Sequence, residues 1–203
     1  FPDTYEFYKN HNAKNALGKL IDAFADHIDE DAFASSKAKS MGYSMKDVVI
    51  IASLIEKETD GTDQRDIASV IYNRLCSKLY PCLEIDATIQ YALAERKEIL
   101  SNADKGVLSP YNTYTNAGLP AGPIANPGMN SIRAALYPAE TKYYFYALDT
   151  TGVHHFSETY YEHQNFLNEL AGKDEEEDQQ TGTGDGAADQ TGGTADTENQ
   201  TDG

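Results

Sequence analysis

Ser44-Met45-Lys46-Asp47-Val48-Val49-Ile50-Ile51-Ala52-Ser53-Leu54-Ile55-Glu56-Lys57-Glu58 is the stretch that decides the fold. Ser44 stands three residues before Asp47. That is the form of a capping box, in which hydroxyl and carboxylate satisfy the free N–H groups of a helix start. From Val48 to Ile55 the segment is apolar on nearly every face, and Gly61 is placed to stop it. A helix apolar all round belongs in the middle of a domain. The branched residues would also suit a buried strand, but the box, the length and the stop favour helix.

Working outward, residues 13–40 carry Leu17, Leu20, Ile21, Phe24, Ile28 and Phe33 near helical spacing, which predicts one long helix or two in series. On the other side, Ile67, Ile71, Leu75 and Leu79 recur every four residues and predict a helix from about Asp63 to Leu79. Cys82-Leu83-Glu84-Ile85 reads as a short strand or extended loop, and Asp86 as the cap of a short helix through Leu93. Residues 101–130 hold Pro110, Pro120, Pro123 and Pro127 among four glycines. That loop cannot be regular throughout, and loops of such length inside a domain are usually functional. A short helix over Asn130 to Leu136 follows. Tyr143 to Leu148 and Val153 to Phe156 form a hairpin pattern, and a last helix runs from about Ser157 to Leu170. Helices with a small antiparallel sheet give the α+β class.

The chain has 203 residues, with Lys+Arg 16 against Asp+Glu 33 and a net charge of −17. A negative field argues against nucleic acid and against an anionic membrane surface as partners. No apolar run approaches the length of a membrane span. The chain opens on Phe1 without a signal-peptide pattern and reads as a piece of a longer protein. Residues 173–203 contain one base and ten acids, with no aromatic and no branched aliphatic residue. Such a segment buries too little apolar surface to offset its ordering entropy, so 173–203 is expected to be a disordered acidic tail behind a domain at 1–172. Cys76 and Cys82 suit a disulfide or two lone thiols equally, and they lack the spacing of a structural zinc site.

Chemistry centres first on Glu56-Lys57-Glu58, at the end of the most apolar helix. At about 100° per residue the two glutamates diverge by about 200°, so they cannot face one substrate together. If the face of Ala52, Ser53 and Glu56 lines a cleft, desolvation raises the Glu56 pKa toward that of a general acid. On composition alone the plainer reading is stronger: a solvated helix end whose glutamates pair with Arg65 or Arg74. Asp86 is the natural second carboxylate, or only a helix cap. Tyr91, Tyr111 and Tyr114 offer flat faces suited to sugar rings. Adjacent His154 and His155 point to opposite faces of a strand, so no metal site is expected. No GxGxxG, P-loop or GxSxG pattern occurs.

Several blocks then fall in one order: Phe1-Pro2-Asp3-Thr4-Tyr5, Ala52-Ser53-Leu54-Ile55-Glu56-Lys57-Glu58-Thr59, Ile67 to Leu75, Ser109-Pro110-Tyr111-Asn112-Thr113-Tyr114 and Gly118 to Gly128. Together they resemble the YceG-like endolytic murein transglycosylases, the MltG family, from Phe1 to about Leu170. The resemblance implies a lysozyme-like active-site helix and a peptidoglycan lytic transglycosylase that forms 1,6-anhydro-MurNAc ends. It implies work on glycan strands at the extracytoplasmic face of the bacterial cell membrane, beside cell-wall synthases. The family's membrane anchor and LysM-like part would precede this chain. No metal or organic cofactor is implied, and no single lysine stands out as a Schiff-base residue for pyridoxal phosphate. The family's essential glutamate, taken as the first of its EKET motif, falls on Glu56. Glu84, Asp86, Thr88, Tyr111, Asn112 and Tyr114 are the expected substrate contacts. Glu84, Ile85 and Ala87 depart from the family's Leu-Gln-Ser-Asp-Pro-Thr run, which leaves Glu84 to accept hydrogen bonds where a Gln is usual. The alternatives are a hydrolytic muramidase with Asp86 activating water, and a non-catalytic glycan-binding scaffold of the division or elongation machinery.

Overall fold

Helix α3 (Met45–Glu58) is the axis of the domain, and it begins as its sequence requires. The Ser44 side chain accepts from the Asp47 N–H while the Asp47 carboxylate accepts from the Ser44 N–H, closing the capping box. Val48, Ile51, Ala52, Leu54 and Ile55 have no exposed surface. A helix that presents no polar face must be covered on all sides. Around it pack α2 (Ala34–Ser40), α4 (Gln64–Cys76), α5 (Asp86–Ala92) and α7 (Met129–Leu136). The computed structural model describes residues 1–30, 34–59 and 61–181. The region 13–40 is two helices in series, α1 (Ala13–Glu30) and α2, and Phe33 lies outside the described residues.

The sheet is a two-stranded antiparallel hairpin, β1 (Phe145–Leu148) and β2 (His154–Ser157), with Phe145 opposite Ser157 and Leu148 opposite His154. Asp149 organises its turn by accepting from the N–H groups of Thr151 and Val153. The expected helix-rich α+β class is what forms.

Several boundaries differ from the sequence reading. α4 ends at Cys76, where Ser77 turns extended, so Leu79 leaves the apolar stripe and is 74% exposed. α8 (Tyr160–Thr181) starts later than expected and passes Leu170, so residues 173–181, assigned above to a tail, continue a helix. Residues 182–203 of that proposed tail lie outside the described residues. The loop 101–130 contains one more short helix, α6 (Asn102–Lys105), started by a second capping box between Ser101 and Asp104. Four-residue elements of this kind rarely show in hydrophobic periodicity.

That loop is held from inside by Asn112, which is fully buried. Its Nδ2 donates to the carbonyls of Lys105 (3.0 Å) and Val107 (2.8 Å). Its Oδ1 accepts from the N–H groups of Tyr114 (2.8 Å) and Thr115 (3.3 Å). A second tie joins loop to helix: the Ser53 hydroxyl, on α3, donates to the Ile50 carbonyl and accepts from the Ile124 N–H at 3.0 Å. Asn112→Ala strands buried backbone groups, and the expected loss is about 3 kcal/mol of unfolding free energy in a urea titration.

Candidate functional site

The two glutamates at the end of α3 diverge as helix geometry demands, and Glu58 enters a cavity. Glu58 continues the face of Ile51, Leu54 and Ile55, all without exposed surface. It is half-buried and accepts a 2.8 Å hydrogen bond from the Tyr146 hydroxyl of β1. It lines a cavity of about 340 Å³ with Arg74, Glu84, Asp86, Tyr114, His163 and Gln164. A neighbouring cavity of about 440 Å³ is lined by Glu58 and Asp86 again, with Lys57, Gln90, Tyr91 and Arg96. Both cavities are lined by Glu58 and Asp86, and we read them as the two arms of one groove.

Burial pushes the Glu58 pKa up, and the nearby Asp86 charge adds to the rise. The Tyr146 hydroxyl, His154 and the Ala87 N–H act in the opposite direction, and the net displacement is upward. A carboxyl removed from water favours its neutral form. Tyr146 is itself held far above an ordinary phenol, first by burial and then by Glu58, so it stays a donor. One acid-capable carboxyl thus faces open groove while a phenol fixes its other side.

Glu56, on which the resemblance places the essential acid, lies on another face of the helix end. It is exposed, lines neither arm of the groove, and addresses the start of α7. There it accepts from the Gly128 N–H (3.1 Å) and the Ser131 hydroxyl (2.6 Å). A carboxylate at a helix N-terminus meets unpaired N–H groups and the positive end of the dipole. Neither glutamate pairs with Arg65 or Arg74: Arg65 donates to the Tyr137 carbonyl, and Arg74 pairs with Glu84.

The other expected site residues divide. Asp86 faces the groove and does not cap its helix, since Ile85 occupies the N-cap position. It accepts from the Tyr114 hydroxyl and lies 3.2 Å from the Lys105 ammonium, which also sits 4.7 Å over the Tyr114 ring. Tyr114 is half-buried, and burial followed by the hydrogen bond to Asp86 raises its pKa. Glu84 reaches the same arm in a left-handed backbone conformation (φ 57°). Its carboxylate accepts from Arg74 at 2.9 Å.

Thr88, Asn112 and Tyr111, read above as substrate contacts, line neither cavity. Thr88 is fully buried, with its hydroxyl donating to the Ile85 carbonyl and 2.9 Å from the Thr113 hydroxyl. Asn112 spends all its hydrogen-bonding capacity on the loop. Tyr111 packs against the core and lies 4.8 Å from the Tyr91 ring, behind the residue that lines the groove.

The sequence reading missed Arg74, Tyr146, His163 and Gln164. Arg74 is 6% exposed and donates to the carbonyls of Tyr144 (2.7 Å), Cys82 (2.9 Å) and Leu83 (3.2 Å) besides Glu84. A buried guanidinium needs that many acceptors, and here it ties the segment before α5 to the start of the hairpin. His163 stacks on Phe145 at 5.2 Å, and its buried Nδ1 finds no hydrogen-bond partner among the described residues. Desolvation lowers its pKa, which keeps the ring neutral. The available signal was strand alternation, which puts Tyr144 and Tyr146 on one face. Cys76 and Cys82 are free thiols, the first exposed and the second half-buried.

The helix-rich domain thus ends its central helix in a half-buried carboxyl beside a cavity lined by Tyr114, Tyr144 and Tyr146. Comparison with known proteins identifies its family. The family model described as YceG-like family matches residues 1–169, and the chain belongs to that family. It is 38% identical over 165 residues to a protein of Bacillus subtilis (strain 168) named endolytic murein transglycosylase, covering 80% of this chain and 44% of that one. A protein of the same name from Streptococcus pneumoniae (strain R6) is 29% identical over 157 residues, covering 74% of this chain and 28% of that one. A crystal structure of a yceG-like protein from Listeria monocytogenes superposes with a TM-score of 0.74 at 38% identity, over 82% of this chain and 53% of that one. The chain therefore spans less than half the length of the curated relatives it matches.

The upward shift at Glu58 has a consequence for stability. A carboxyl that binds its proton more tightly folded than unfolded makes the native state lose stability as pH rises from the unfolded pKa through the folded one. Glu58→Gln removes that loss. Its gain in Tm over the wild type is expected to be larger at about pH 7 than at about pH 3.5, where the wild-type carboxyl is protonated in both states. Differential scanning calorimetry at the two pH values checks this.

Proposed function

We propose that the domain is the catalytic part of a peptidoglycan lytic transglycosylase and that Glu58 is its single acid and base. The observation that carries this reading is Glu58 itself: a carboxyl with a raised pKa, held by Tyr146, at the point where both arms of the groove meet. The names of the Bacillus and Streptococcus relatives support the substrate class. A groove running past the acid in both directions accepts a strand in its middle, which is what cleavage within a chain requires.

In this mechanism protonated Glu58 donates its proton to the oxygen of the β-1,4 bond between MurNAc and GlcNAc. The bond to the MurNAc anomeric carbon breaks, and the sugar's own acetamido oxygen shares the positive charge. The Glu58 carboxylate then removes the proton from the MurNAc C6 hydroxyl as that oxygen bonds to the anomeric carbon. The products are a free GlcNAc hydroxyl and a 1,6-anhydro ring, and no water is consumed. Acid and base lie on one residue, so a second free carboxylate is not needed, in contrast to two-carboxylate glycosidases. Asp86 fits a positioning role, since Tyr114 and Lys105 already occupy it. Holding the C6 hydroxyl at the anomeric carbon ahead of water is the remaining task, and the Tyr114 side of the groove is suited to it.

Hydrolysis with Asp86 activating water is the competing reading, favoured only by Asp86 sharing the groove with Glu58. Product mass separates the two: uncrosslinked glycan should yield anhydro-MurNAc ends, and a hydrolase gives products heavier by one water. The cell-wall setting, outside the cytoplasm and alongside synthases, belongs to the same proposal. Among the described residues no helix is long and apolar enough to cross a membrane, so membrane attachment would rest on segments other than these.

The residue assignment has its own test. Glu58→Gln in the intact protein is expected to lower turnover by about 10³-fold, within the range for loss of a general acid. Glu56→Gln keeps an acceptor for Gly128 and Ser131 and is expected to stay within about three-fold of wild type. Reversal of that order would return the acid to Glu56.

A further inference from the structure

We infer that His154 and Asp63 are positioning residues that act on Glu58 through Tyr146. The proposal rests on the reading of Glu58 as the acid and adds to it two residues that do not line the groove arm holding Arg74.

Asp63 is the starting observation. It stands at the N-cap of α4, where an aspartate normally accepts from the free N–H groups of the first turn. It makes no side-chain cap bond. Its carboxylate is turned instead to two other groups. Oδ1 accepts from the Thr59 hydroxyl, one residue beyond Glu58. Oδ2 lies 2.5 Å from His154 Nδ1 on β2. The side chains of His154 and Asp63 are 7% and 18% exposed. A cap given up for a buried pairing asks for a use of that pairing, because an N-cap bond is worth about 1 kcal/mol.

The ring of His154 supplies the next link. In the hairpin register Tyr146 faces Phe156, with His154 at the diagonal position on the same side of the sheet. The His154 ring stands edge-on to Tyr146, with centroids 5.4 Å apart at 89°. Phe156 flanks both rings at 6.1 Å. Tyr146 then donates to Glu58 at 2.8 Å. The contacts close a ring: Glu58, Thr59, Asp63, His154, Tyr146 and back to Glu58. Each member fixes the next, so the phenol is aimed before any sugar arrives. Turning an imidazole by a carboxylate on Nδ1 is an established way to set its orientation.

A double-mutant comparison in the intact protein, with uncrosslinked glycan strands as substrate, tests the proposal. Tyr146→Phe, His154→Ala and Asp63→Asn are each expected to lower kcat by about ten-fold while KM stays within about two-fold, since the groove contacts are kept. In the Tyr146→Phe background the other two substitutions are expected to add less than about two-fold, because only the Thr59 contact and the direct effect of His154 then still reach Glu58. Full kcat in Asp63→Asn or His154→Ala overturns the inference, as do losses that multiply with that of Tyr146→Phe. If circular dichroism shows that His154→Ala does not fold, the nearly isosteric Asp63→Asn carries the same comparison. Glu58→Gln is measured alongside. Retained turnover there defeats the reading of Glu58, whereas an inactive Glu58→Gln with silent Asp63→Asn defeats only the positioning role.

Discussion

A carboxyl at the end of a helix with no solvated face is the constraint around which the domain is arranged. α3 must be covered on all sides to be stable, and the residues that cover it also limit where its last turn can send a charge. Lys57 reaches the rim of the groove, Glu56 finds the N-terminus of α7, and Glu58 is left between β1 and α5. Burying an ionised carboxylate without partners would cost several kcal/mol. One hydrogen bond from Tyr146 makes the position tenable without returning the acid to an ordinary pKa. Had an arginine stood there in place of a phenol, the acid would have been held ionised.

Arg74 shows the same logic from the cationic side. Its guanidinium is close enough to the groove to line it, yet three carbonyls and Glu84 take up its Nε and Nη1 donors. Its charge is directed at Glu84 and at the faces of Phe145 and Tyr80, 5.0 and 6.0 Å away. The groove therefore contains both signs of charge while Glu58 keeps a phenol as its direct partner. Net charge is a poor guide to such a site. The chain carries −17, yet Lys57, Arg74, Arg96 and Lys105 all stand in or beside the groove.

The parts of the fold legible in sequence were those fixed by local signals. The Ser44–Asp47 box and the hairpin between Tyr143 and Phe156 each rest on residues within a few positions of one another, whereas the spacing over 13–40 leaves one helix or two open. What failed depended on distant neighbours. Asp86 reads as a cap, but Tyr114 and Lys105 claim its carboxylate across the loop. Asp63 fails to cap for a comparable reason, since His154 comes from far along the chain. Asn112 and Thr88 are polar residues inside recognisable blocks, and polar residues in a motif suggest contact with substrate. Both are buried: Asn112 because a long Pro/Gly loop has backbone groups to satisfy and few regular partners for them, and Thr88 where α5 starts, bonded to the Ile85 carbonyl and beside the Thr113 hydroxyl.

The two glutamates sharpen that lesson. Helical geometry alone established that Glu56 and Glu58 face different surroundings. It could not say which surroundings held the groove, because Ala52 and Ser53 behind one are as fully buried as Leu54 and Ile55 behind the other. The difference lies in what covers each face. Over Glu56 stands the start of α7, whose Gly128 N–H and Ser131 hydroxyl both donate to its carboxyl group. Over Glu58 stand a phenol and open space. A general acid must keep its proton until the leaving oxygen arrives, and that requires surroundings that disfavour the anion. The same polypeptide turn thus holds one glutamate suited to structure and one suited to proton transfer, and their neighbours, rather than their own chemistry, set them apart.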